Sequence, residues 1–345
     1  MANANRESKN TVAVVIPAYN AATTIEQVLS RLPDFVGMVF VVDDGSSDGT
    51  GARVAALGDP RVTLIRHERN QGVGAAVLSG YRAAYTKGAT IVVKMDADGQ
   101  MDPRALPQLI RPIVEGKADY TKGNRFLHLR DLKEMPWVRR LGNFGLSLLT
   151  KFASGYWNIF DPTNGYTAIH RNLIPVLLRG RVSRRFFFES SVLIELALER
   201  AVVKDVPIRS RYPNTGSHLS ELRSLISFPP RLFLGFLRRV WVQYIVRDFG
   251  AGSLLGVIGL LMVCAGAVFG GYHWHQSALL GRVTPTGTVM IAALLIILGV
   301  QALFQALLLD VQSVPKDPVF PELEGELSED DEAPAFVNQE NIGSD

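Results

Sequence analysis

Residues 90–101, TIVVKMDADGQM, run from an apolar core of Ile91, Val92 and Val93 into two carboxylates, Asp96 and Asp98, one residue apart. A short continuous apolar run is the pattern of a parallel strand buried on both faces. Two like charges at its end call for a cation between them. The same pattern recurs upstream: TVAVVIP (11–17), MVFVVD (38–43) and RVTLIRH (61–67) each read as a strand. Helical spacing fills the intervals. TTIEQVLSRL (23–32) sets Ile25, Val28, Leu29 and Leu32 on one face behind Thr23 or Thr24 as cap. GVGAAVLSGYRAAYTKG (72–88) reads as a helix closed by Gly88. DPRALPQLIRPIVEG (102–116) opens on Asp102 as cap with Pro103 at the first position. Strands alternating with helices predict an α/β fold with a mostly parallel sheet covered on both faces. Ligands of such sheets sit beyond the carboxyl ends of the strands. Pro17–Tyr19, Asp43–Asp44 and Asp96–Asp98 all fall at such ends, so the three clusters are expected to converge.

Asp96 and Asp98 can offer oxygens to a hard cation, with Gln100 as a third, neutral ligand. Oxygen-only ligation suits Mg2+ or Mn2+, which keep waters and bind a substrate diphosphate. Zinc is disfavoured, because the chain holds one cysteine and no histidine pair at ligand spacing. In DDGSSDGT (43–50), Asp43 or Asp44 can accept hydrogen bonds from a nucleobase or ribose, while Asp48 caps the next helix. NQGVGAA (70–76) brings the backbone N–H groups around Gly72 and Gly74 to a helix start, a position that suits anions.

Charge is unevenly spread along the 345 residues. From Lys316 onward there are ten acidic residues and one basic, which leaves 35 basic against 23 acidic before it, a balance of +12. A body that basic seeks phosphate groups, nucleic acid or an acidic lipid surface. The segment 315–345 reads as an acidic disordered tail, and 1–10 as a flexible N-terminus with no signal peptide. Residues 251–272 and 287–309 are uncharged over 22 and 23 positions, each long enough to cross a bilayer. Before them, RLFLGFLRRVWVQYIVRDF (231–249) mixes Arg231, Arg238, Arg239 and Arg247 with apolar residues, as an amphipathic helix in the headgroup layer would. The expected organisation is a catalytic domain over 11–215, juxtamembrane helices over 216–250 and two transmembrane helices. By the positive-inside bias the domain and both termini face the cytosol of a bacterial-type plasma membrane. Gly252/Gly256 and Gly266/Gly270 allow close helix contact and leave a homo-oligomer through the spans open.

The stretches VVIPAYNAATTI, VVDDGSSDGT, RNQGVGAAV and DADGQ together resemble the motif series of family 2 glycosyltransferases, which have the Rossmann-like GT-A fold. More narrowly the chain resembles the branch that acts on polyprenyl phosphate, typified by dolichyl-phosphate mannose synthases and bacterial polyprenyl-phosphate glucosyltransferases. The match covers about residues 11–250. The resemblance implies that Pro17, Tyr19 and Asp44 line a nucleotide site together with Gly72, Gly74 and Asp96. It implies that Asp96, Asp98 and Gln100 hold the metal. GNRF (123–126) and WVRRLGN (137–143) match the region where relatives hold the acceptor phosphate, which points to Arg125, Arg139, Arg140 and Asn143. DPTNGYTAIHR (161–171) resembles a stretch near the sugar, with Asn164 where serine is frequent, and gives Asp161 a role in orienting sugar or acceptor. Asp98, Asp161 and Arg125 are then the catalytic set. In FFFE (186–189) the acid matches a family position that caps the following helix, so Glu189 reads as structural. Many relatives carry an acid directly after YN, where this chain has Ala21. The expected partners are a nucleotide-sugar (UDP- or GDP-linked), polyprenyl phosphate and membrane lipids, with no nucleic acid. The expected reaction inverts the transferred carbon in one displacement. Two rivals are a polysaccharide synthase, whose Gln-x-x-Arg-Trp element is absent from the sequence, and an inactive scaffold, against which both carboxylates argue.

Overall fold

The computed structural model describes residues 11–125, 137–208 and 221–321. Seven strands form one sheet: β1 (Val12–Ala18), β2 (Val36–Asp43), β3 (Val62–Arg66), β4 (Ile91–Lys94), β5 (Tyr120–Asn124), β6 (Thr167–His170) and β7 (Val203–Pro207), in the order β3-β2-β1-β4-β6-β5-β7. Every pairing is parallel except those of β6 with β4 and β5. The predicted mostly parallel α/β sheet is therefore present.

Residues alternate between the two faces because the strand period is two. Val12, Val14 and Ile16 of β1 join one core with helices α1 (Ile25–Ser30) and α4 (Leu106–Val114). Ala13 and Val15 join the other, under α3 (Val73–Thr86), α6 (Ile174–Arg179) and α7 (Phe188–Leu198). α2 (Thr50–Ala56) connects β2 to β3. β1 has β2 on one side and β4 on the other, so the strand order reverses there. That reversal opens a crevice beyond Ala18 and Lys94.

Helix α5 (Trp137–Ser154) and helix α8 (Glu221–Val240) pack against each other beside α7. Phe228 and Leu232 of α8 are buried with Leu146, Phe187 and Ile194. Its other face leaves Phe233, Leu234 and Leu237 exposed, which suits a helix lying on a bilayer surface. α8 runs on as a π-helical segment over Trp241–Arg247. The arginines counted as lipid-facing in the sequence are largely spent on the protein. Arg238 pairs with Glu195, Arg239 with Asp310, and Arg247 with Glu199.

Two long apolar helices follow, α9 (Ala251–Leu279) and α10 (Thr286–Gln312), each long and apolar enough to cross a membrane and with only 11% of its apolar window buried. Their glycines serve the contact between them. A Cβ on Gly259 would meet the Gly299 carbonyl at 2.9 Å, and one on Gly266 the Ala292 carbonyl at 3.0 Å. Gly270 likewise faces Ala292, and Gly252 faces Tyr244. The small-residue pairs offered for self-association are thus largely consumed inside the chain, by a hairpin that must approach backbone to backbone.

The tail also differs from its expectation where it is described. Val319 and Phe320 donate backbone N–H bonds to buried Asp119 at 3.1 and 2.8 Å, and Asn172 donates to the Phe320 carbonyl at 2.9 Å. Phe320 stacks on His170, with ring centroids 4.1 Å apart. This anchor lies at the sheet edge opposite the crevice, since His170 pairs with Ile91 at the start of β4. Burial, and then the Arg171 charge, pull the His170 pKa from 6.5 down to about 4. The unfolded chain therefore takes up a proton that the folded one refuses. Stability is whole above pH 6.5 and falls as the pH drops toward 4, by about 3 kcal/mol. Urea unfolding midpoints measured from pH 7 to 4 should fall more steeply for the native chain than for His170→Asn.

Candidate active site

The loops after β1, β2 and β4 meet at the switch point and are tied to each other by hydrogen bonds. Asp44 N–H donates to the Ala18 carbonyl at 2.8 Å. The amides of Asn20, Ala21 and Ala22 donate to Ser46, Thr50 and Asp48 at 2.9–3.0 Å. Asp48 also accepts from Thr50 N–H and braces the turn before α2, but the N-cap of that helix is Gly49 and no side chain caps it, so Asp48 is not the cap expected. Thr24 precedes α1 but makes no side-chain cap; its hydroxyl donates at 2.6 Å to the Ala97 carbonyl and ties in the β4 loop. Tyr19 stands exposed at the rim, and Pro17 is buried in β1 opposite Val42.

Asp44 faces inward. Its carboxylate accepts from the amides of Gln71 and Gly72 at 2.9 and 2.8 Å and pairs with His67 Nδ1 at 2.6 Å. The amide of Gly72, expected to await a substrate anion, already has one. Gly72 and Gly74 are glycines for a steric reason as well. A Cβ on them would lie 2.6 Å from the Arg184 carbonyl and 2.2 Å from that of Ser183.

Asp96 and Asp98 stand together beyond β4. Asp98 is exposed, and its Oδ1 accepts the Gln100 N–H at 2.9 Å. Partial desolvation, followed by the charge of Asp96, raises its pKa above the ordinary carboxylate value. Asp96 Oδ1 lies 2.9 Å from Lys94 Nζ, and Lys94 also reaches Glu189 Oε1 at 2.9 Å. Lys94 is 1% exposed. Burial alone would lower its pKa, but the charges of Asp96 and Glu189 outweigh that and hold it well above the usual lysine value. Gly165 closes this cluster, because a Cβ there would sit 2.3 Å from Lys94 Nζ and 2.8 Å from Asp96 Oδ2. Sequence reasoning missed Lys94 and misassigned Glu189. The residue preceding α7 is Phe187 and no side chain caps the helix; Glu189 sits in its first turn as the partner of Lys94.

The acceptor-side residues are partly in view. Arg125 grips Asp161 with two bonds, Nε to Oδ2 at 2.8 Å and Nη2 to Oδ1 at 3.1 Å. Asp161 is wholly buried and holds the Arg125 fork in place. Asn164 is buried in the same loop, bonded to Gly123 O and Tyr166 N. Nearby Lys122 is fully buried on the Asn164 carbonyl, and burial pulls its pKa down to about 8. Arg139, Arg140 and Asn143 fall in the opening turns of α5, and their side chains lie outside the described residues.

No cluster of three or more acidic, histidine or cysteine side chains poised for a metal occurs among the described residues. The two carboxylates nevertheless fit Mg2+ or Mn2+, ions that keep waters and take their remaining oxygens from a substrate diphosphate. Asp96 Oδ2 makes no hydrogen bond among the described residues, and the Gln100 side chain makes none either.

Comparison with known proteins bears on this site. Residues 13–178 match the profile described as Glycosyl transferase family 2. A UDP-N-acetylglucosamine–dolichyl-phosphate N-acetylglucosaminyltransferase of Methanococcus voltae is 32% identical over 216 residues, covering 58% of this chain and 86% of the relative. A polyprenol monophosphomannose synthase of Mycolicibacterium smegmatis is 34% identical over 201 residues, 56% of this chain and 75% of the relative. An undecaprenyl-phosphate mannosyltransferase of Micrococcus luteus is 31% identical over 202 residues, 57% and 82%. Among solved structures, glucosyl-3-phosphoglycerate synthase of Mycobacterium tuberculosis, in complex with Mn2+, UDP-glucose and phosphoglyceric acid, superposes with a TM-score of 0.52. It is 22% identical, over 70% of this chain and 83% of that one, a likeness of fold.

Proposed function

Because the chain belongs to glycosyl transferase family 2, we propose that it transfers a sugar from a UDP- or GDP-linked donor to a membrane polyprenyl phosphate, with inversion at the transferred carbon. The observation that carries the reading is the pair Asp96 and Asp98 at the switch point of a sheet whose flanking helices are bolted to two membrane-length helices. The donor occupies the crevice, with Tyr19 at its rim and the loop braced by Asp44, Gly72 and Gly74 around the nucleotide. Asp96 and Asp98 hold Mg2+ or Mn2+, which supplies charge neutralisation for the departing diphosphate. Arg125, aimed by Asp161, together with Arg139, Arg140 and Asn143 meets the acceptor phosphate as it arrives from the bilayer face.

A phosphate monoester has its second pKa near ~6, so it is already an anionic nucleophile at neutral pH and needs no strong base. The protein's work is to hold two anionic groups in line against their repulsion. The exposed apolar face of α8 supports work at the headgroup level, and the positive-inside bias favours the cytosolic side. Membranes carrying the protein, given labelled UDP- and GDP-sugars, divalent metal and polyprenyl phosphate, should yield lipid-extractable label from at least one donor. Label appearing only in soluble or polymeric acceptors overturns the assignment.

A further inference from the structure

We propose that Glu189 is a positioning residue for the donor site, sharing the Lys94 ammonium so that Asp96 keeps enough negative charge on Oδ2 to hold a divalent metal. The inference rests on the metal-diphosphate reading above. Lys94 lies 2.9 Å from each of Asp96 Oδ1 and Glu189 Oε1, with its side chain 1% exposed and that of Glu189 13% exposed. Asp96, Lys94 and Glu189 together carry −1. Without Glu189 the sum is zero, and the buried ammonium falls wholly on Asp96. Lys122, within electrostatic reach of both Glu189 and Lys94, adds a second buried cation to the same neighbourhood. Gly165 gives the cluster its space, since a Cβ there would meet Lys94 Nζ and Asp96 Oδ2. Glu189 enters from the first turn of α7, 95 residues away in sequence from Lys94, so the fold spends a separate element on this contact. A structural role alone would make Glu189→Gln less stable and leave the metal affinity of the folded protein unchanged.

The test is a titration of the full chain in detergent with MnCl2 in the presence of UDP, reading the free Mn2+ signal by electron paramagnetic resonance. The native protein should bind Mn2+ with UDP. Glu189→Gln, which preserves shape and a hydrogen bond to Lys94, should bind it about tenfold more weakly with its melting temperature little changed. Glu189→Asp, which keeps the charge, should stay closer to native than Glu189→Gln. Lys94→Met/Glu189→Gln should recover part of the loss, because the excess cation is gone. Native-like Mn2+ affinity in Glu189→Gln overturns the positioning role while leaving the metal site intact. Failure of the native protein itself to bind Mn2+ with UDP overturns the metal reading, and the inference with it.

Discussion

Asp98→Ala is expected to lower sugar transfer by about 10²–10³-fold, the loss typical when one source of transition-state charge stabilisation is removed. Asp98 is exposed, and its one hydrogen bond among the described residues is the short-range one from Gln100 N–H. Its removal therefore costs the fold little, and the melting temperature should stay within a few degrees of native. The raised pKa points the same way. A carboxylate that desolvation and a neighbouring aspartate both disfavour in its charged form gains most when a cation arrives. Excess EDTA should abolish transfer, with activity restored by Mg2+ or Mn2+. Full activity of Asp98→Ala, or of the native enzyme in EDTA, would remove the metal from the mechanism.

The parts of this site that were legible in sequence share a cause. A parallel strand buried on both faces writes an unbroken apolar run, and the polar residue that ends it marks the sheet edge. Asp44, Asp96 and Asp98 were found in that way, and their loops do converge. What the pattern hides is pairing. Lys94 sits inside TIVVKMD, where it looks like a strand end reaching for water, and only the fold brings Glu189 to it. The pairing of Asp161 with Arg125 was likewise hidden, because only the fold makes β5 and the loop before β6 neighbours in space. The antiparallel β6 is only four residues long and has no period to read. The anchoring of Val319 and Phe320 was invisible for a further reason. Its acceptor is Asp119, some 200 residues earlier, and the tail's composition alone argues for solvation.

The junction between the sheet domain and the apolar helices makes the second large prediction. Arg239, at the end of α8, is 1% exposed and donates to both oxygens of Asp310 near the end of α10, at 2.6 and 3.2 Å. Tyr244 and Trp157 donate to the same carboxylate at 2.6 and 3.0 Å, and Arg239 also bonds the Phe152 carbonyl at 2.9 Å. One ion pair thus joins α5, α8 and α10. Gly155, at φ +75°, gives the guanidinium its space, since a Cβ there would lie 2.7 Å from Nη1. Breaking a buried pair leaves the surviving charge without compensation, a loss of about 3–5 kcal/mol. Arg239→Met and Asp310→Ala should each lower the thermal transition of the detergent-solubilised protein and expose the α8–α9 connection to protease. Arg239→Met/Asp310→Ala should lose clearly less than the two single losses added together, with a coupling of at least about 2 kcal/mol, because neither charge is then stranded. If the pair holds the catalytic domain at its height above the bilayer, the single variants should lose activity toward long-chain polyprenyl phosphate in membranes more than toward a short, water-soluble phosphate acceptor. Native-like melting in both single variants would show that the junction is held by the apolar contacts of α8 alone.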